Sequence, residues 1–377
     1  MAERPASASL AGSRSLRRYS RHLLIPEVGL AGQERLASAR VLCIGAGGLG
    51  SPVLQYLAAA GVGRIGIVDD DTVDETNLQR QTLFTTRDIG LPKVRIASER
   101  LLAMNPQIAL DPIGVRFDPS NARALVALYD VVVDCTDRFE SRYLINDACV
   151  LEGRPDVYGS IFRFDGQVSV FDAKHGPCYR CLFPEPPPSG SVPSCAEGGV
   201  LGVLAGMVGT FQASEVLKLI LQIGDPLRGR LLLVDALSAR VREVAIERDP
   251  ACVVCGENPS VTDASTAAQD PEPSLGVPEI ESEQLAPAMR DAILLDVREP
   301  HEVVFGVLPG ALHIPATQLE ARMHELDSSR SYIVACRIGQ KSRWALRRLQ
   351  DAGFTKLRHL RGGLLAYAAL DSEFEFF

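Results

Sequence analysis

A chain of 377 residues has room for two domains, and its 46% hydrophobic and 23% charged residues are ordinary for a soluble globular protein. A net charge of −8 and a pI near 5.4 argue against a surface built for nonspecific binding to nucleic acid or anionic membranes. Nine cysteines, an odd number with four of them in two C-x-x-C pairs, point to a reducing cytoplasm, where thiols serve metal and chemistry rather than disulfides.

Met1 to Ser15 is polar and rich in Ala and Ser, without the apolar core of about 7–15 residues that a secretory signal requires. A helix is expected over roughly Leu16 to Ala39, with Arg17-Arg-Tyr-Ser-Arg21 near its start. A strand, Arg40-Val-Leu-Cys-Ile44, leads into Gly45-Ala-Gly-Gly-Leu-Gly50 and a helix through Ala60, with Pro52 tolerated in the first turn. A second strand, Arg64 to Val68, ends in Asp69-Asp-Asp71. This βαβ unit predicts a parallel sheet with helices on both faces. Another apolar strand, Asp130 to Val133, ends in Asp134-Cys-Thr-Asp137. The longest apolar stretch, Gly198 to Phe211, is too short for a bilayer and reads as a Gly-rich loop entering a buried helix, so no membrane partner is expected. Periodicity vanishes from Gly256 to Pro278, a polar segment rich in Pro and Ala that reads as a linker. Strand and helix then alternate again. The expected domains are 1–255 and 279–377, joined by 256–278.

Gly45, Gly47 and Gly50 fit G-x-G-x-x-G between a strand and a helix. Glycines let the backbone approach a phosphate, and the helix start supplies N–H donors. Asp69, about twenty residues beyond the loop, can accept from ribose hydroxyls. That pattern alone suits NAD, FAD, SAM or ATP. Thr76-Asn-Leu-Gln-Arg80 and Lys93 add polar and cationic groups that a dinucleotide enzyme does not need. A nucleoside triphosphate does need them, because charge must be neutralised as pyrophosphate leaves. Asp137, at a strand end, can hold a hard cation such as Mg2+.

Cys178-Tyr-Arg-Cys181 and Cys252-Val-Val-Cys255 are two hooks of the kind that build a closed, tetrahedral, structural Zn2+ site. Gly176-Pro177 and Gly256 suit the knuckle turns. Cys195 falls in a loop rich in Pro and Ser, where an exposed thiol could be reactive. Cys43, Cys135 and Cys149 lie in apolar surroundings and read as core residues. Further on, Ile333-Val-Ala-Cys336 is followed by a short loop and a helix near Ser342. Loop N–H groups, the helix start, Arg337 and Lys341 would favour a thiolate at Cys336. Asp296 and Arg298 either brace that loop or form a structural ion pair.

In order along the chain, Gly45-Ala-Gly-Gly-Leu-Gly50, Asp69-x-Asp71, Asn77-Leu-Gln-Arg-Gln81, Lys93 and Asp134-Cys-Thr-Asp137 resemble the MoeB/ThiF branch of the ubiquitin-activating-enzyme superfamily, from about Arg18 to Cys255. Pro278 to Ala369, with Cys336-Arg-x-Gly-x-Lys-Ser342 and Leu360-Arg-Gly-Gly-Leu-Leu-Ala-Tyr367, resembles single-domain rhodaneses. The implied fold is α/β: a Rossmann-like adenylating domain with a zinc knuckle, plus a small α/β rhodanese domain. The implied activity is ATP-dependent adenylation of the C-terminal glycine of a small ubiquitin-like sulfur-carrier protein. Sulfur transfer from a Cys336 persulfide would then form a thiocarboxylate.

By the same resemblance, Gly48, Asp69, Thr76, Asn77, Leu78, Gln79, Arg80, Lys93, Asp137 and Arg138 would contact ATP or its Mg2+, and Cys195 would relay acyl or sulfur groups. It implies a homodimer in which Arg21 reaches the neighbour's nucleotide, and an upstream sulfur donor such as a cysteine desulfurase. Arg138 departs from the family pattern, which usually has Asn there. Molybdenum-cofactor synthesis, tRNA thiolation and thiamine synthesis all use such chemistry. An NAD(P)-dependent oxidoreductase would explain the glycine loop and Asp69 but not the hooks or the Cys336 loop. A noncatalytic carrier-binding scaffold would leave Arg80, Lys93, Asp137 and Cys336 without a task.

Overall fold

The computed structural model describes residues 17–187, 198–264, 276–304, 306–368 and 370. They fall into two compact units, one containing 17–186 and 198–264 and the other 276–304, 306–368 and 370.

The first unit is built on β1 (Arg40–Ile44), β2 (Arg64–Val68), β3 (Ala109–Ile113), β4 (Val131–Asp134), β5 (Asp156–Phe162), β6 (Asp165–Phe171), β7 (Arg230–Asp235) and β8 (Arg240–Ala245). Their order in the sheet is β3-β2-β1-β4-β5-β6-β7-β8. The first five are parallel and the last three antiparallel. Val41 to Ile44 and Val131 to Asp134 are buried without alternation, as central parallel strands covered on both faces must be. In register, Ile44 lies opposite both Val68 and Asp134. The loops after β1, β2 and β4 therefore leave one edge of the sheet together. The order reverses between β1 and β4, which makes this edge the switch point where open α/β sheets bind ligands. At the other end β8 is exposed along its whole length and carries Arg240, Arg242 and Glu243, charges that discourage edge pairing.

Helix Gly202–Leu221 packs on helix Gly50–Ala60 and on β5 and β6. By length and hydropathy it is the one described helix able to cross a membrane. Gln212 and Glu215 on it are buried and bonded: Gln212 Nε2 donates to the carbonyls of Asp134 (2.7 Å) and Val157 (3.0 Å), and the Leu227 N–H donates to Glu215 at 2.9 Å. A helix buried on most sides explains an apolar run that is not confined to one face.

Two expectations differ in detail. Over the described residues the expected N-terminal helix is interrupted, with Ser20–Leu23 and Gly29–Ser38 separated by a turn at Pro26, whose nitrogen has no proton to donate. The expected linker begins as part of the first unit. Ser260 and Val261 donate to the Val253 carbonyl at 2.9 and 3.0 Å, and Ala264 is fully buried. Isolated small apolar residues are enough to dock such a segment, and periodicity cannot show them.

The second unit is a parallel sheet of β9 (Glu279–Ile280), β10 (Ile293–Asp296), β11 (Leu312–His313), β12 (Tyr332–Ala335) and β13 (Leu357–Leu360), ordered β11-β10-β12-β13-β9. Leu294, Leu295, Ile333 and Val334 are completely buried. Helix Gln340–Asp351 follows β12 and covers it with Ala345, Leu346 and Leu349.

The glycine loop leaves no space for a side chain at its end. A Cβ on Gly50 would stand 2.1 Å from the Gly45 carbonyl oxygen, and Gly45 has a φ of +97°. Gly50→Ala is expected to cost about 1–3 kcal/mol, the usual range for forced overpacking, and to weaken nucleotide binding. Urea denaturation with the same midpoint as the native chain would refute the tight fit.

Candidate functional site

The switch-point edge of the first unit brings together the glycine loop, Asp69 and Arg80, six of the nucleotide residues expected from the sequence. The Ala46 N–H donates to Asp69 Oδ2 at 2.8 Å and the Asp71 N–H to Oδ1 at 2.9 Å, so Asp69 ties the glycine loop to the end of β2. Each oxygen keeps a second lone pair able to accept a hydroxyl. Burial pushes the Asp69 carboxyl upward, opposed by the charge of Lys93 and by these two bonds. Arg80 lies over the loop: a Cβ placed on Gly48 would meet its side chain at 3.4 Å, and one on Gly47 would meet Gln81 at the same distance.

Other expected ligand residues are engaged elsewhere. Lys93 is buried and paired with the exposed Asp71 at 2.9 Å. Thr76 donates its N–H and hydroxyl to Asp74, and Asn77 accepts from Arg80 at 2.7 Å. These bonds build the 3-10 turn Glu75–Asn77, so the two short polar side chains hold the turn that presents Arg80. Leu78 packs on the core, and the Gln79 backbone lies against Gly202. Asp137 and Arg138 are exposed just beyond β4 and precede helix Phe139–Glu152. Arg21 is exposed in its short helix.

Behind this edge lies a polar set that the sequence reading did not single out. Asp134 is wholly buried; one oxygen accepts from Thr136, and the other has no partner among the described residues. Burial pushes its carboxyl up. Arg142 is 6% exposed and stacks on the Phe139 and Tyr158 rings at 4.9 and 5.6 Å. A charged residue inside a helix that otherwise reads as ordinary gave no periodic signal.

The two cysteine hooks meet. Sγ distances are 3.6 Å for Cys178–Cys252, 3.9 Å for Cys178–Cys181 and 3.4 Å for Cys181–Cys255, and all four sulfurs lie within 4.8 Å of one another. A tetrahedron with Zn–S bonds of about 2.3 Å has edges of about 3.8 Å, so the set fits Zn2+. The first hook is seated by Asp147, which accepts from Arg180 at 2.7 and 2.8 Å, and by Asn146, which accepts from the Tyr179 N–H at 2.7 Å. Arg248 seats the second, donating to the carbonyls of Cys255 (3.1 Å) and Ala173 (3.0 Å). Hydrogen bonds from Cys178 and Cys255 bring the Cys181 thiol down to about 2, and the bond to Cys181 raises Cys178 in turn. A divalent cation held by four sulfurs would take them as thiolates. Cys43, Cys135 and Cys149 are buried, as expected of core residues. Cys195 lies outside the described residues.

In the second unit Cys336 follows β12, fully buried, and the Gly339 N–H donates to its Sγ at 3.1 Å. The Cys336 and Arg337 carbonyls accept from Leu364 and Leu365 at 2.8 and 2.9 Å, which pins the loop from outside. Arg298 and Asp296 are a completely buried pair, closest at 2.6 Å, and Arg298 also donates to the Gly306 carbonyl at 2.9 Å. They brace the neighbouring loop. Burial raises the Cys336 thiol in spite of donors from Ser342, Gly339 and Ile338. The Lys341 charge is directed to buried Glu302, 2.6 Å away, instead of to the sulfur. Sequence reasoning did not find Glu302, nor His359, whose ring contacts Ser342 and Glu279 at 3.0 Å each.

Residues 19–254 match the ThiF family and residues 281–370 match the rhodanese-like domain. The chain is 45% identical to a probable adenylyltransferase/sulfurtransferase, MoeZ, of Mycobacterium tuberculosis, over 96% of this chain and 95% of the relative. It is 42% identical to the adenylyltransferase and sulfurtransferase MOCS3 of Sus scrofa, over 97% and 88%. The sulfur carrier protein adenylyltransferase of Thermus thermophilus is 54% identical over 65% of this chain and 92% of its own. Among solved structures, MccB of E. coli shares the fold, with a TM-score of 0.57, 24% identity, and coverage of 63% of this chain and 74% of that one.

Protein purified without chelators is expected to carry one zinc per chain. Cys252→Ser should bring the zinc content close to zero and lower Tm with it, since metal-binding free energy is folding free energy. Metal analysis showing no zinc in the native protein would rule the centre out.

Proposed function

Because the chain belongs to the ThiF family and carries a rhodanese-like domain behind it, we propose that its adenylyltransferase and sulfurtransferase activities act in turn on one substrate, the C-terminal glycine of a small ubiquitin-like sulfur carrier. The observation that carries this reading is that each unit places a reactive group at the C-terminal edge of a parallel sheet: the glycine loop after β1 and Cys336 after β12.

On this reading the N–H groups of the Gly45–Gly50 loop and of the helix that follows receive the phosphates of ATP, and Asp69 receives the ribose. Arg80 neutralises the phosphate charge, and Lys93 joins it when its pair with Asp71 opens. Asp137, exposed beyond β4 on the same edge, would hold Mg2+, which supplies further positive charge there. The carrier carboxylate attacks the α-phosphorus, and the P–O bond to pyrophosphate breaks. Cys336 takes sulfur from an upstream donor such as a cysteine desulfurase. The terminal sulfur of its persulfide then attacks the acyl carbon and expels AMP. Freeing the thiocarboxylate requires another thiol to bond to the Cys336 sulfur, the task proposed for Cys195. A reducing thiol of the cytoplasm resets the pair.

We also infer a homodimer in which exposed Arg21 serves the neighbouring nucleotide site, and carriers of molybdenum-cofactor synthesis or tRNA thiolation. The four-cysteine centre has no open coordination position and acts structurally. An oxidoreductase reading leaves Arg80, Lys93 and Cys336 unused.

Two substitutions separate the chemistries. Asp137→Ala is expected to lower carrier-dependent ATP–pyrophosphate exchange on the order of 100-fold, the scale of losing one electrostatic contributor, with thiosulfate-to-cyanide sulfur transfer unchanged. Near-normal exchange removes Asp137 from the mechanism. Cys336→Ala should abolish sulfur transfer to cyanide while exchange persists. Loss of exchange in that variant would contradict the division of labour, and so would surviving sulfur transfer.

A further inference from the structure

Cys336 must act as a nucleophile, yet its surroundings oppose its ionisation. The sulfur is completely buried and its thiol is raised by that burial, while the Lys341 charge is spent on Glu302. A continuous path of polar atoms leads away from it. Sγ lies 3.5 Å from Ser342 Oγ, Ser342 Oγ lies 3.0 Å from His359 Nε2, and His359 Nδ1 lies 3.0 Å from Glu279 Oε1. Ser342 is 0% and His359 1% exposed, whereas Glu279 is 36% exposed. The path therefore runs from a dry sulfur to solvent, and every member comes from a different element: the loop after β12, helix Gln340–Asp351, β13 and β9.

We propose that Ser342, His359 and Glu279 form a proton relay that ionises Cys336 for sulfur transfer. This rests on Cys336 being the sulfur acceptor. In the resting arrangement the thiol donates to Ser342 Oγ, the Ser342 hydroxyl turns from the Gly339 carbonyl, 2.9 Å away, to donate to His359 Nε2, and His359 Nδ1–H donates to Glu279. When the sulfur ionises, its proton passes to Ser342 Oγ and the Ser342 proton passes to His359. The hydroxyl then donates to the thiolate, and the imidazolium donates to Ser342 Oγ and to the Gly339 carbonyl, 3.2 Å from Nε2. Glu279 stabilises the imidazolium from its other side. Each hydrogen-bonding group has a partner in both states, and one proton has moved from sulfur to nitrogen.

With a sulfane donor such as thiosulfate, the thiolate attacks the outer sulfur, the S–S bond breaks, and sulfite leaves with the electron pair. Cys336 then carries a persulfide anion, and the proton stays on His359. When a nucleophile takes the terminal sulfur, the Cys336 thiolate returns and recovers its proton along the same path. The other charged groups facing the relay are Arg337 on the loop, Arg343, which pairs with Glu279 at 3.0 Å, and Arg361, which pairs with Glu281 at 3.0 Å.

The test is the pH profile, from 6 to 10, of thiosulfate-to-cyanide transfer by the full chain, together with thiolate absorbance at 240 nm measured against Cys336→Ala. A raised thiol loses its proton only at high pH, and a relay base lowers the pH required. His359→Gln keeps the size and hydrogen bonding of the ring but cannot hold the proton. It should reduce kcat/KM for thiosulfate at pH 7.5 by about tenfold or more, with the deficit shrinking as pH rises, and the thiolate midpoint should move up by about one unit or more. Ser342→Ala should do the same. Glu279→Gln, at a half-exposed position, should shift the midpoint in the same direction by less, and it decides the matter if a buried variant does not fold. An unmoved midpoint in the folded variants overturns the relay, as does a loss that is equal at every pH. Native protein without sulfur transfer, or an active Cys336→Ala, would instead overturn the premise that Cys336 accepts sulfur.

Discussion

Strand β1 bonds in parallel to β2 on one side and β4 on the other, with Ile44 opposite Val68 and Asp134. That register is what the candidate nucleotide site depends on. Parallel strands all point the same way, so the segments that follow them must leave from one edge. The glycine loop, Asp69 and the segment from Cys135 to Arg138 are brought together by this constraint alone, although they are distant in sequence. The same rule operates in the second unit, where Asp296 ends β10 and Cys336 follows β12, its immediate partner.

Both sites also show how backbone hydrogen bonds tune a site before any ligand arrives. Asp69 accepts from two N–H groups, and this keeps a largely buried carboxylate in place against the cost of desolvation. Cys336 receives donors from Gly339, Ser342 and Ile338, yet burial still dominates, because neutral donors offset only part of the cost of desolvating a thiolate. Neighbouring cations do not remove the difficulty when they are already paired. Lys93 with Asp71 and Lys341 with Glu302 are cases in which a charge nominated by sequence position is shared with a carboxylate from another element.

The cysteine centre is held by a different kind of interaction. Asp147 is completely buried and its partner Arg180 is 10% exposed. Breaking such a pair by removing one member leaves an uncompensated buried charge, which makes it a stiff support for the first hook. Arg248 supports the second hook through carbonyl groups instead. The sulfurs converge from the short helix Tyr179–Leu182 and from the turns around Cys252 and Cys255, far apart in the chain, so their spacing depends on these anchors as much as on the C-x-x-C turns.

Much was legible in the chain itself. The βαβ pattern, the G-x-G-x-x-G loop, the acidic strand end, the two hooks and the Cys336 loop are all local, because each depends on a few consecutive residues whose backbone preferences and side-chain types act together. Local patterns of that kind determined the fold class, the four clustered cysteines and the buried cysteine at the end of the second sheet. Pairwise contacts between distant segments were decided only by the tertiary structure. No periodicity could reveal that Thr76 and Asn77 would spend their side chains on a turn, that Ala264 would be buried, or that Lys341 would face Glu302. Nor could it place His359 from β13 and Glu279 from β9 in line with the sulfur of β12. Hydrogen bonds act over about 3 Å, and only folding brings residues so far apart in sequence within that distance.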